Sequence, residues 1–415
     1  MSTEVQLVMD KVWTYVETED TKVHGVIDKA LCVLTPGRWF SWKFKAKLWD
    51  GMHHFYDFVK GKFLTGFIDE VIQALERKGY KVEVINKDLV IPEAIKITMV
   101  ELNGSDFDKE RFNIIQLPLL QEMLQEGRAC VRLATGGGKT EIIAGLAKVL
   151  SDKHVLVLVH RVELLAQTIE RLELRLGENI GRISSDKVDI QRVTVGMVIS
   201  VWSKRQQLRR YLKEQVEAII SDECHRVSSD IWAKVLMITD AKRRYGVSGT
   251  PLKNDDVRDK KLIGLTGKVI QGIGVKELVN AGYAVMPEIK VIDAITVLGK
   301  VDGAKYSELY NKIYTNIKLW NLALDVVRWH NSAGLLIFTE RKEVCLGLGE
   351  FLVLNGIRAT VSHGTMPHKD RLQALDDFKK GKIDVLITTT ILDEGIDVPA
   401  VSGVMFMTTG KSVVR

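Results

Sequence analysis

A glycine-rich stretch that runs directly into lysine and threonine, at residues 133–140, most constrains what this chain can fold into. It reads Leu-Ala-Thr-Gly-Gly-Gly-Lys-Thr, with an apolar stretch at residues 129–133 before it and a helix-like run at residues 141–150 after it. A phosphate-binding loop needs strand, turn and helix in this order, because the glycines let backbone N–H groups face one anion beside a positive helix end. The stretch therefore predicts an α/β nucleotide-binding domain.

The loop also predicts a role for each of its residues. Lys139 would reach the β- and γ-phosphates of ATP, and the Thr140 hydroxyl would hold Mg²⁺. The strict pattern has glycine where this chain has Leu133, so a turn that merely precedes Lys-Thr is the alternative. The residues predicted to bind the nucleotide phosphates are Thr135, Gly136, Gly137, Gly138, Lys139 and Thr140.

A pair of acidic residues that follows a second apolar strand can supply the metal ligand and the base that a phosphate-binding loop lacks. Asp222 and Glu223 follow the strand-like residues 217–221. An aspartate at the end of a strand can hold Mg²⁺, and a glutamate beside it can orient and deprotonate a water molecule. An isolated Asp-Glu pair is usually a solvated turn, but behind this loop the pair predicts an ATPase site. The turn at residues 248–251, Ser-Gly-Thr-Pro, follows another strand and can sense a phosphate.

Composition narrows the class of protein. The 415 residues suffice for two to four domains, and 46% apolar with 27% charged residues is ordinary for a globular protein. No apolar run reaches membrane-spanning length, and no signal peptide is visible. The four cysteines form no C-x-x-C pair, which fits a reducing cytoplasm and excludes an ordinary cysteine zinc site. A net charge of +6 permits a polyanionic partner.

Residues 1–100 predict a small α+β module that precedes the loop-bearing domain. Strands are expected at residues 29–34 and 81–90, and a helix at 65–78. Between them, basic residues interleave with tryptophan and phenylalanine, so phosphate contacts and base stacking would suit nucleic acid. The alternative is a strand with aromatic residues in the core and lysines outside. The candidate nucleic-acid residues here are Arg38, Trp39, Lys43, Lys45 and Lys47.

The remaining chain alternates strands and helices, which predicts parallel sheets in two further domains, at residues 106–285 and 286–415. Helices are expected at 116–125, 162–175, 309–330, 341–354 and 367–379, and strands at 154–160, 191–200, 218–221, 243–248, 335–338, 359–362 and 383–388. A basic run at residues 204–213 can contact phosphates or form an ordinary solvated helix face.

Taken together, the motifs at residues 134–140, 222–225 and 248–251 resemble motifs I, II and III of superfamily 2 helicases. Further stretches follow in the family's order, at residues 160–167, 193–196, 336–339 and 388–397. The resemblance implies two RecA-like lobes with ATP and Mg²⁺ between them and nucleic acid across both. It adds Gln116, Gly395 and Asp397 to the nucleotide site, His225 to the catalytic residues Lys139, Asp222 and Glu223, and His160, Arg161, Thr194, Thr339 and Thr388 to the nucleic-acid contacts.

Within this superfamily, the stretch at residues 47–51 and the residues around Gly66 and Gly79 resemble the front module of UvsW-type phage helicases. That resemblance implies a monomeric DNA-remodelling enzyme in the host cytoplasm, which regresses forks and migrates Holliday junctions. An RNA helicase and a nucleotide-gated nucleic-acid-binding protein are the alternatives. The family's last motif, Gln-x-x-Gly-Arg-x-x-Arg, does not occur before Arg415, so we expect a truncated second lobe that hydrolyses ATP poorly.

Overall fold

The computed structural model describes residues 4–86, 97–292, 313–330, 334–389 and 401–407. The chain divides into two compact units, residues 1–286 and residues 287–415. The predicted nucleotide ligands Gly395 and Asp397 lie outside the described residues. Among the helices that the structure describes, none is both long and apolar enough to cross a membrane.

The N-terminal module is an α+β layer, as the sequence predicts. In the described residues its main sheet has the strand order β5-β6-β2-β1-β7, and β3 pairs with β4 in a separate two-stranded antiparallel sheet. The strands are β1 (Glu4–Met9), β2 (Trp13–Glu17), β3 (Cys32–Leu34), β4 (Met52–His54), β5 (Tyr56–Asp57), β6 (Lys62–Leu64) and β7 (Lys81–Asn86); the helices are α1 (Lys22–Leu31), α2 (Trp42–Lys45) and α3 (Ile68–Glu76), with 3₁₀ turns at Arg38–Phe40 and Thr65–Phe67.

Two local predictions in this module were wrong. Lys29 lies in the last turn of α1 rather than in a strand, because Leu31 completes a buried helical stripe with Val23 and Ile27. Only β3 at the end of that stretch is extended. The alternation that suggested a strand from Trp42 onward forms the short helix α2, whose side chains are largely exposed. The aromatic residues there do not build a strand core.

The first lobe contains the predicted parallel sheet. Among the described residues the sheet has the order β11-β10-β12-β9-β13-β14-β8-β15, in which β11 alone runs antiparallel to its neighbour. Its strands are β8 (Arg128–Arg132), β9 (His154–Val159), β10 (Gly181–Ile183), β11 (Val188–Asp189), β12 (Val193–Met197), β13 (Val216–Asp222), β14 (Arg243–Ser248) and β15 (Lys268–Gln271).

The helices of the first lobe cover both faces of this sheet. β9 is an uninterrupted apolar run because both of its faces are covered. The expected strand at 191–200 is shorter, since it becomes a helix after Met197. The helices are α4 (Lys109–Arg111), α5 (Leu117–Glu126), α6 (Lys139–Val149), α7 (Val162–Leu176), α8 (Val198–Ser203), α9 (Asp230–Ile238), α10 (Asp256–Thr266) and α11 (Val275–Asn280). Short π-helical turns lie at Phe112–Gln116 and Tyr211–Gln215, and a 3₁₀ turn lies at Cys224–Arg226.

The second unit is a smaller parallel α/β layer. Its described strands have the order β17-β18-β16-β19, and every pairing is parallel. The sequence predicted three of these strands and missed the edge strand β19. The elements are β16 (Leu335–Thr339), β17 (Ala359–Ser362), β18 (Val385–Thr389) and β19 (Gly403–Met407), with helices α12 (Ile317–His330), α13 (Lys342–Leu354) and α14 (His368–Lys379).

The N-terminal module packs directly on the first lobe and shares a hydrophobic core with it. Two arginines of the lobe donate to one carbonyl of the module: Arg128 Nη2 lies 2.5 Å and Arg244 Nε 3.1 Å from the oxygen of Lys11. On the apolar side, a Cβ added to Gly264 of α10 would lie 2.6 Å from the Phe67 ring. Glycine is therefore needed where the module approaches α10 most closely.

We expect Arg244→Met to lower the free energy of unfolding by about 3 kcal/mol or more, because two buried carbonyls and one partly buried carbonyl lose a charged donor. Besides Lys11, Arg244 donates to the carbonyl of Leu236 at 2.8 Å and to that of Thr239 at 2.5 Å. Urea unfolding measures the change. Arg258→Met is the control, because this exposed arginine pairs only with Asp255 in the described residues. Equal losses in the two variants would contradict the docking role.

Candidate nucleotide site and nucleic-acid surface

The phosphate loop lies between β8 and α6, as its sequence predicts. Gly136 and Gly138 have φ angles of +79° and +87°, a region that side chains disfavour. A Cβ on Gly137 would lie 2.7 Å from Cγ of Leu133, which is fully buried beneath the loop. Leucine at position 133, where the strict pattern has glycine, thus packs under the turn. Its side chain leaves no room for a Cβ at position 137, so glycine is required there.

Two side chains from the turn before α5 hold the loop by its carbonyls. Gln116, which is 2% exposed, donates from Nε2 to the oxygen of Gly137 at 2.6 Å. Arg111 donates from Nη2 to the oxygen of Gly136. The sequence identified Gln116 only through the family resemblance and missed Arg111, because nothing local marks an arginine that folds back onto a distant loop.

One member of the acidic pair, Glu223, contacts the loop lysine. Lys139 Nζ lies 2.5 Å from Oε1 of Glu223. On its other oxygen, Glu223 faces His225 Nδ1 at 3.3 Å and Ser248 Oγ at 3.4 Å. His225 Nδ1 and Ser248 Oγ also lie 3.1 Å apart, so residues from the loop, from the end of β13 and from the end of β14 form one cluster.

The two neighbouring carboxylates have pKa values shifted in opposite directions. Burial, followed by the negative charge of Glu223, raises the pKa of Asp222 to about 6. Burial also acts to raise the pKa of Glu223, but the hydrogen bond from His225 and the charge of Lys139 lower it to about 2. Glu223 is thus held as a carboxylate, whereas Asp222 carries an uncompensated electrostatic cost.

The residues present fit ATP and Mg²⁺. Asp222 is a buried carboxylate whose pKa falls when a cation approaches, and the Thr140 hydroxyl is the other protein oxygen that the sequence predicts as a ligand. Within the described residues no group of three or more His, Cys, Asp or Glu side chains could hold a metal ion. Mg²⁺ does not require such a group, because it is typically bound by one or two carboxylates together with phosphates and water. The buried Oε1 of Gln116 has no hydrogen-bond partner among the described residues, which leaves an acceptor for the amino group of adenine. The assignment of these residues stays a prediction.

An ion network fixes the helix that carries the loop. Glu141, next to Thr140, accepts from Arg175 Nε at 2.7 Å and from Arg171 Nη2 at 2.8 Å. Arg175 is fully buried and also donates to Asp106 at 2.7 Å. The network ties the first turn of α6 to α7 and to the segment that leads into Arg111. This network could not be predicted from the sequence, because its members are scattered along the chain.

Three threonines that the family resemblance assigns to nucleic-acid contacts have side chains in the protein interior, and their assignment stays a prediction. The side chains of Thr194, Thr339 and Thr388 are all fully buried. Their hydroxyls donate to main-chain oxygens: Thr194 to Gln191 at 2.9 Å, Thr339 to Thr388 at 3.4 Å, and Thr388 to Thr389 at 2.9 Å. They stabilise turns and strand ends, and none is accessible to a phosphate in this structure. His160 and Arg161 lie just before α7, where their predicted role is untested.

The basic and aromatic residues of the N-terminal module form an open surface. Arg38 stacks on Trp39, with Cζ 3.9 Å from the ring centroid, and Trp39 meets Phe44 edge to face at 5.2 Å. Trp39 remains 57% exposed, so the reading of these aromatics as core residues was wrong. Lys43, Lys45 and Lys47 are exposed around an open pocket of about 650 Å³ lined by Trp39, Phe44, Lys45, Lys47, Leu48, Trp49 and Asp50. The predicted nucleic-acid role suits this surface.

Comparison with known proteins gives two family matches. The family described as Type III restriction enzyme, res subunit, matches residues 92–253, and the helicase conserved C-terminal domain matches residues 318–414. A viral relative named as a helicase, from the Sulfolobus islandicus filamentous virus, is 25% identical over 70% of this chain and 56% of its own length. The DNA 3'-5' translocase XPB2 of Sulfurisphaera tokodaii is 22% identical over 70% of this chain and 73% of its own. A probable helicase of African swine fever virus is 27% identical, with 69% and 36% covered.

Among solved structures, bacteriophage T4 UvsW matches 97% of this chain and 83% of its own, with 16% identity and a TM-score of 0.53. A second structure, of the UvsW helicase from bacteriophage T4, gives 0.54 over 65% of this chain, at 18% identity. This likeness concerns the fold, and the chain spans only 56% and 36% of the first viral relatives it matches. The two family matches, one to each part of the chain, and the likeness in fold together support a superfamily 2 helicase that resembles the UvsW type, with two RecA-like lobes that follow a small N-terminal module in the sequence.

Proposed function

We propose that this protein is an ATP-dependent DNA helicase or translocase that remodels branched DNA, such as forks and Holliday junctions. One observation carries the nucleotide part of the proposal: Lys139 of the loop is paired at 2.5 Å with Glu223, next to the partly buried carboxylate of Asp222. The three residues proposed as the phosphate-binding lysine, the base and the metal ligand thus lie together at one edge of the sheet. This is the donor set that phosphoryl transfer to water needs.

In this proposal Lys139 changes partner during the reaction. Without nucleotide its ammonium neutralises Glu223; with nucleotide it binds phosphate oxygens, and the Glu223 carboxylate becomes free to orient and deprotonate the attacking water. His225 and Ser248 contact the other oxygen of Glu223 and keep its orientation. Asp222 and Thr140 would hold Mg²⁺, which when bound neutralises charge on the phosphates.

DNA is favoured over RNA by the names of relatives. The printed names of two relatives, the DNA 3'-5' translocase XPB2 of Sulfurisphaera tokodaii and the DNA 3'-5' helicase Rad25 of Haloarcula marismortui, both specify DNA. Stimulation of ATP hydrolysis by DNA and RNA of matched sequence separates the two activities. A protein that binds ATP and DNA with no turnover under any polynucleotide would instead be a nucleotide-gated binding protein.

The branched substrate is supported by the N-terminal module. Its exposed aromatic side chains can stack on unpaired bases, which branch points offer and intact duplex does not. The exposed lysines beside these aromatic residues, Lys43, Lys45 and Lys47, supply charge for nearby phosphates. Since the module shares a core with the first lobe, DNA held there would keep a fixed position relative to the phosphate loop.

The nucleotide site predicts different defects for its two key residues. Lys139→Ala should abolish ATP binding, whereas Glu223→Gln should preserve the affinity for ATP and lower DNA-stimulated turnover about 100-fold or more, because only the base is lost. Calorimetry with ATP and steady-state hydrolysis measure the two effects. Lys153→Ala, at an exposed lysine, serves as the control. A Glu223→Gln protein that bound ATP as poorly as Lys139→Ala would refute the role of base.

The raised pKa of Asp222 predicts that ionisation of this side chain lowers the free energy of unfolding of the nucleotide-free protein, by an amount that depends on pH. The folded pKa of about 6 lies above the ordinary 3.8, so folding favours the protonated form and stability falls as pH rises between these values. Asp222→Asn should therefore raise the free energy of unfolding at pH 8 by up to about 3 kcal/mol, and by little below pH 4. Chemical unfolding with EDTA present measures this. A gain that did not depend on pH would contradict the prediction.

The module's lysines predict a loss of fork preference. Changing Lys43, Lys45 and Lys47 to alanine should weaken forked-DNA binding and lower the salt slope of log K by about 3 at most. The control changes three exposed lysines elsewhere in the module, Lys22, Lys78 and Lys81, which alters net charge equally. Fork-to-duplex affinity ratios measured by fluorescence anisotropy should fall only in the first variant. Equal ratios in both would remove the branch-reading role.

A further inference from the structure

A cation–aromatic pair beside the phosphate loop is left unexplained by the proposed mechanism. The Cζ atom of Arg111 lies 4.8 Å from the centroid of the Tyr283 ring. Arg111 is the residue that also donates to the carbonyl of Gly136 in the loop. The pair therefore lies beside the predicted phosphate-binding loop. Tyr283 belongs to the end of the first unit, three residues before its last residue, Met286.

The guanidinium of Arg111 is suited to stacking on a nucleobase. It is planar and delocalised, and it stacks on aromatic faces, including those of bases. Its Nε atom is buried and has no hydrogen-bond partner among the described residues. The guanidinium carbon now lies 4.8 Å from the centroid of a tyrosine ring, which shares the π-character of a base.

The surroundings of Arg111 contain a second group with unmet hydrogen-bonding capacity. Gln116 donates to Gly137, the loop residue next to the one that Arg111 holds. Its Oε1 atom is buried without a partner in the described part of the chain, although the residue is only 2% exposed. Arg111 and Gln116 are held by the carbonyls of two consecutive loop residues. The Gln116 oxygen can accept a hydrogen bond from the edge of an adenine base, and the Arg111 guanidinium can stack on its face.

The attachment of Tyr283 allows its ring to leave. The main-chain N–H groups of Tyr283 and Ala284 both donate to the carbonyl of Leu278, at 2.9 and 3.2 Å, which forms a turn after α11. The ring is only half-buried, and the two residues after this turn, Val285 and Met286, are 90% and 60% exposed. Tyr283 packs against the first-lobe core as a partly buried side chain, so a rotation of its ring gives up this contact and the one with Arg111 while the fully buried core residues keep theirs.

We propose that Tyr283 occupies, on the Arg111 guanidinium, the position that the adenine base takes when ATP binds, so that ring and base compete for one stacking face. This rests on the proposed function, because it assumes that the triphosphate binds at Lys139. Tyr283 is thus a residue that sets nucleotide affinity by occupying the base site. Phosphate binding at the loop is independent of it.

The test compares ATP with inorganic tripolyphosphate, which carries the charge of the triphosphate without a base. Calorimetric dissociation constants are measured for both ligands in wild type, Tyr283→Leu and Tyr283→Phe. Leucine keeps apolar packing and removes the aromatic face, whereas phenylalanine keeps the face. Tyr283→Leu should bind ATP about threefold or more tightly, by relief of one cation–aromatic contact, with tripolyphosphate affinity unchanged. Tyr283→Phe should bind both ligands like wild type.

Arg111→Met completes a double-mutant cycle. Without the guanidinium, Tyr283→Leu should no longer raise the affinity for ATP, because the shared stacking face is gone. An unchanged or weaker affinity for ATP in Tyr283→Leu, an equal gain for both ligands, or a gain that persists in Arg111→Met would each overturn the proposal. Lys139→Ala separates this from the proposed function: if it binds both ligands like wild type, the loop is not the phosphate site, whatever Tyr283 does.

Discussion

The contact between Lys139 and Glu223 is the interaction on which the rest of the first lobe depends. Both side chains are largely removed from water, with 19% and 15% of their surfaces exposed, so each charge would be costly alone. Their pairing requires that β8 and β13 end at the same edge of one parallel sheet. β14 lies between these two strands and brings Ser248 to the same cluster. The strand order β13-β14-β8 thus serves as the frame of the site.

The N-terminal module extends this frame rather than standing apart from it. Arg128 begins β8, the strand that leads into the phosphate loop, and Arg244 lies near the start of β14, which leads to Ser248. Both arginines hold the same carbonyl, that of Lys11. The module is therefore fastened to the beginnings of the two strands whose ends form the nucleotide site. A change in the packing of the module would therefore alter the nucleotide site through β8 and β14, which are short and fully paired.

The sequence predicted those features that are encoded locally. β9 is predictable because a strand covered on both faces is apolar throughout, and the loop is predictable because three glycines and a lysine have few other uses together. What escaped prediction depends on contacts between distant residues. Nothing near Arg111 shows that it reaches Gly136, and nothing near Arg175 shows that it joins Glu141 to Asp106.

Burial also decides cases that a motif leaves open. Thr194, Thr339 and Thr388 occupy family positions associated with the nucleic-acid backbone, yet their hydroxyls serve main-chain carbonyls in the interior. The alternation from Trp42 onward fitted a strand equally well until the chain was seen to form a short helix with exposed tryptophans. In both cases the residue pattern was compatible with two structures, and long-range packing selected one.

The backbone at Glu223 shows how two adjacent carboxylates come to serve different purposes. Asp222 ends β13 in extended conformation, and an extended neighbour would point to the opposite face. Glu223 instead has φ of +49° and ψ of 52°, a left-handed conformation that costs about 1–2 kcal/mol for a side-chain-bearing residue. Its N–H donates to Oδ1 of Asp222 at 2.9 Å, and its carboxylate reaches Lys139. The turn thus directs the Glu223 carboxylate to the lysine, whereas burial and the charge of Glu223 raise the pKa of Asp222, and this asymmetry separates the two pKa values. Strain of this kind persists only where the surroundings over-determine it, and here Lys139, His225 and Ser248 all act on the same side chain.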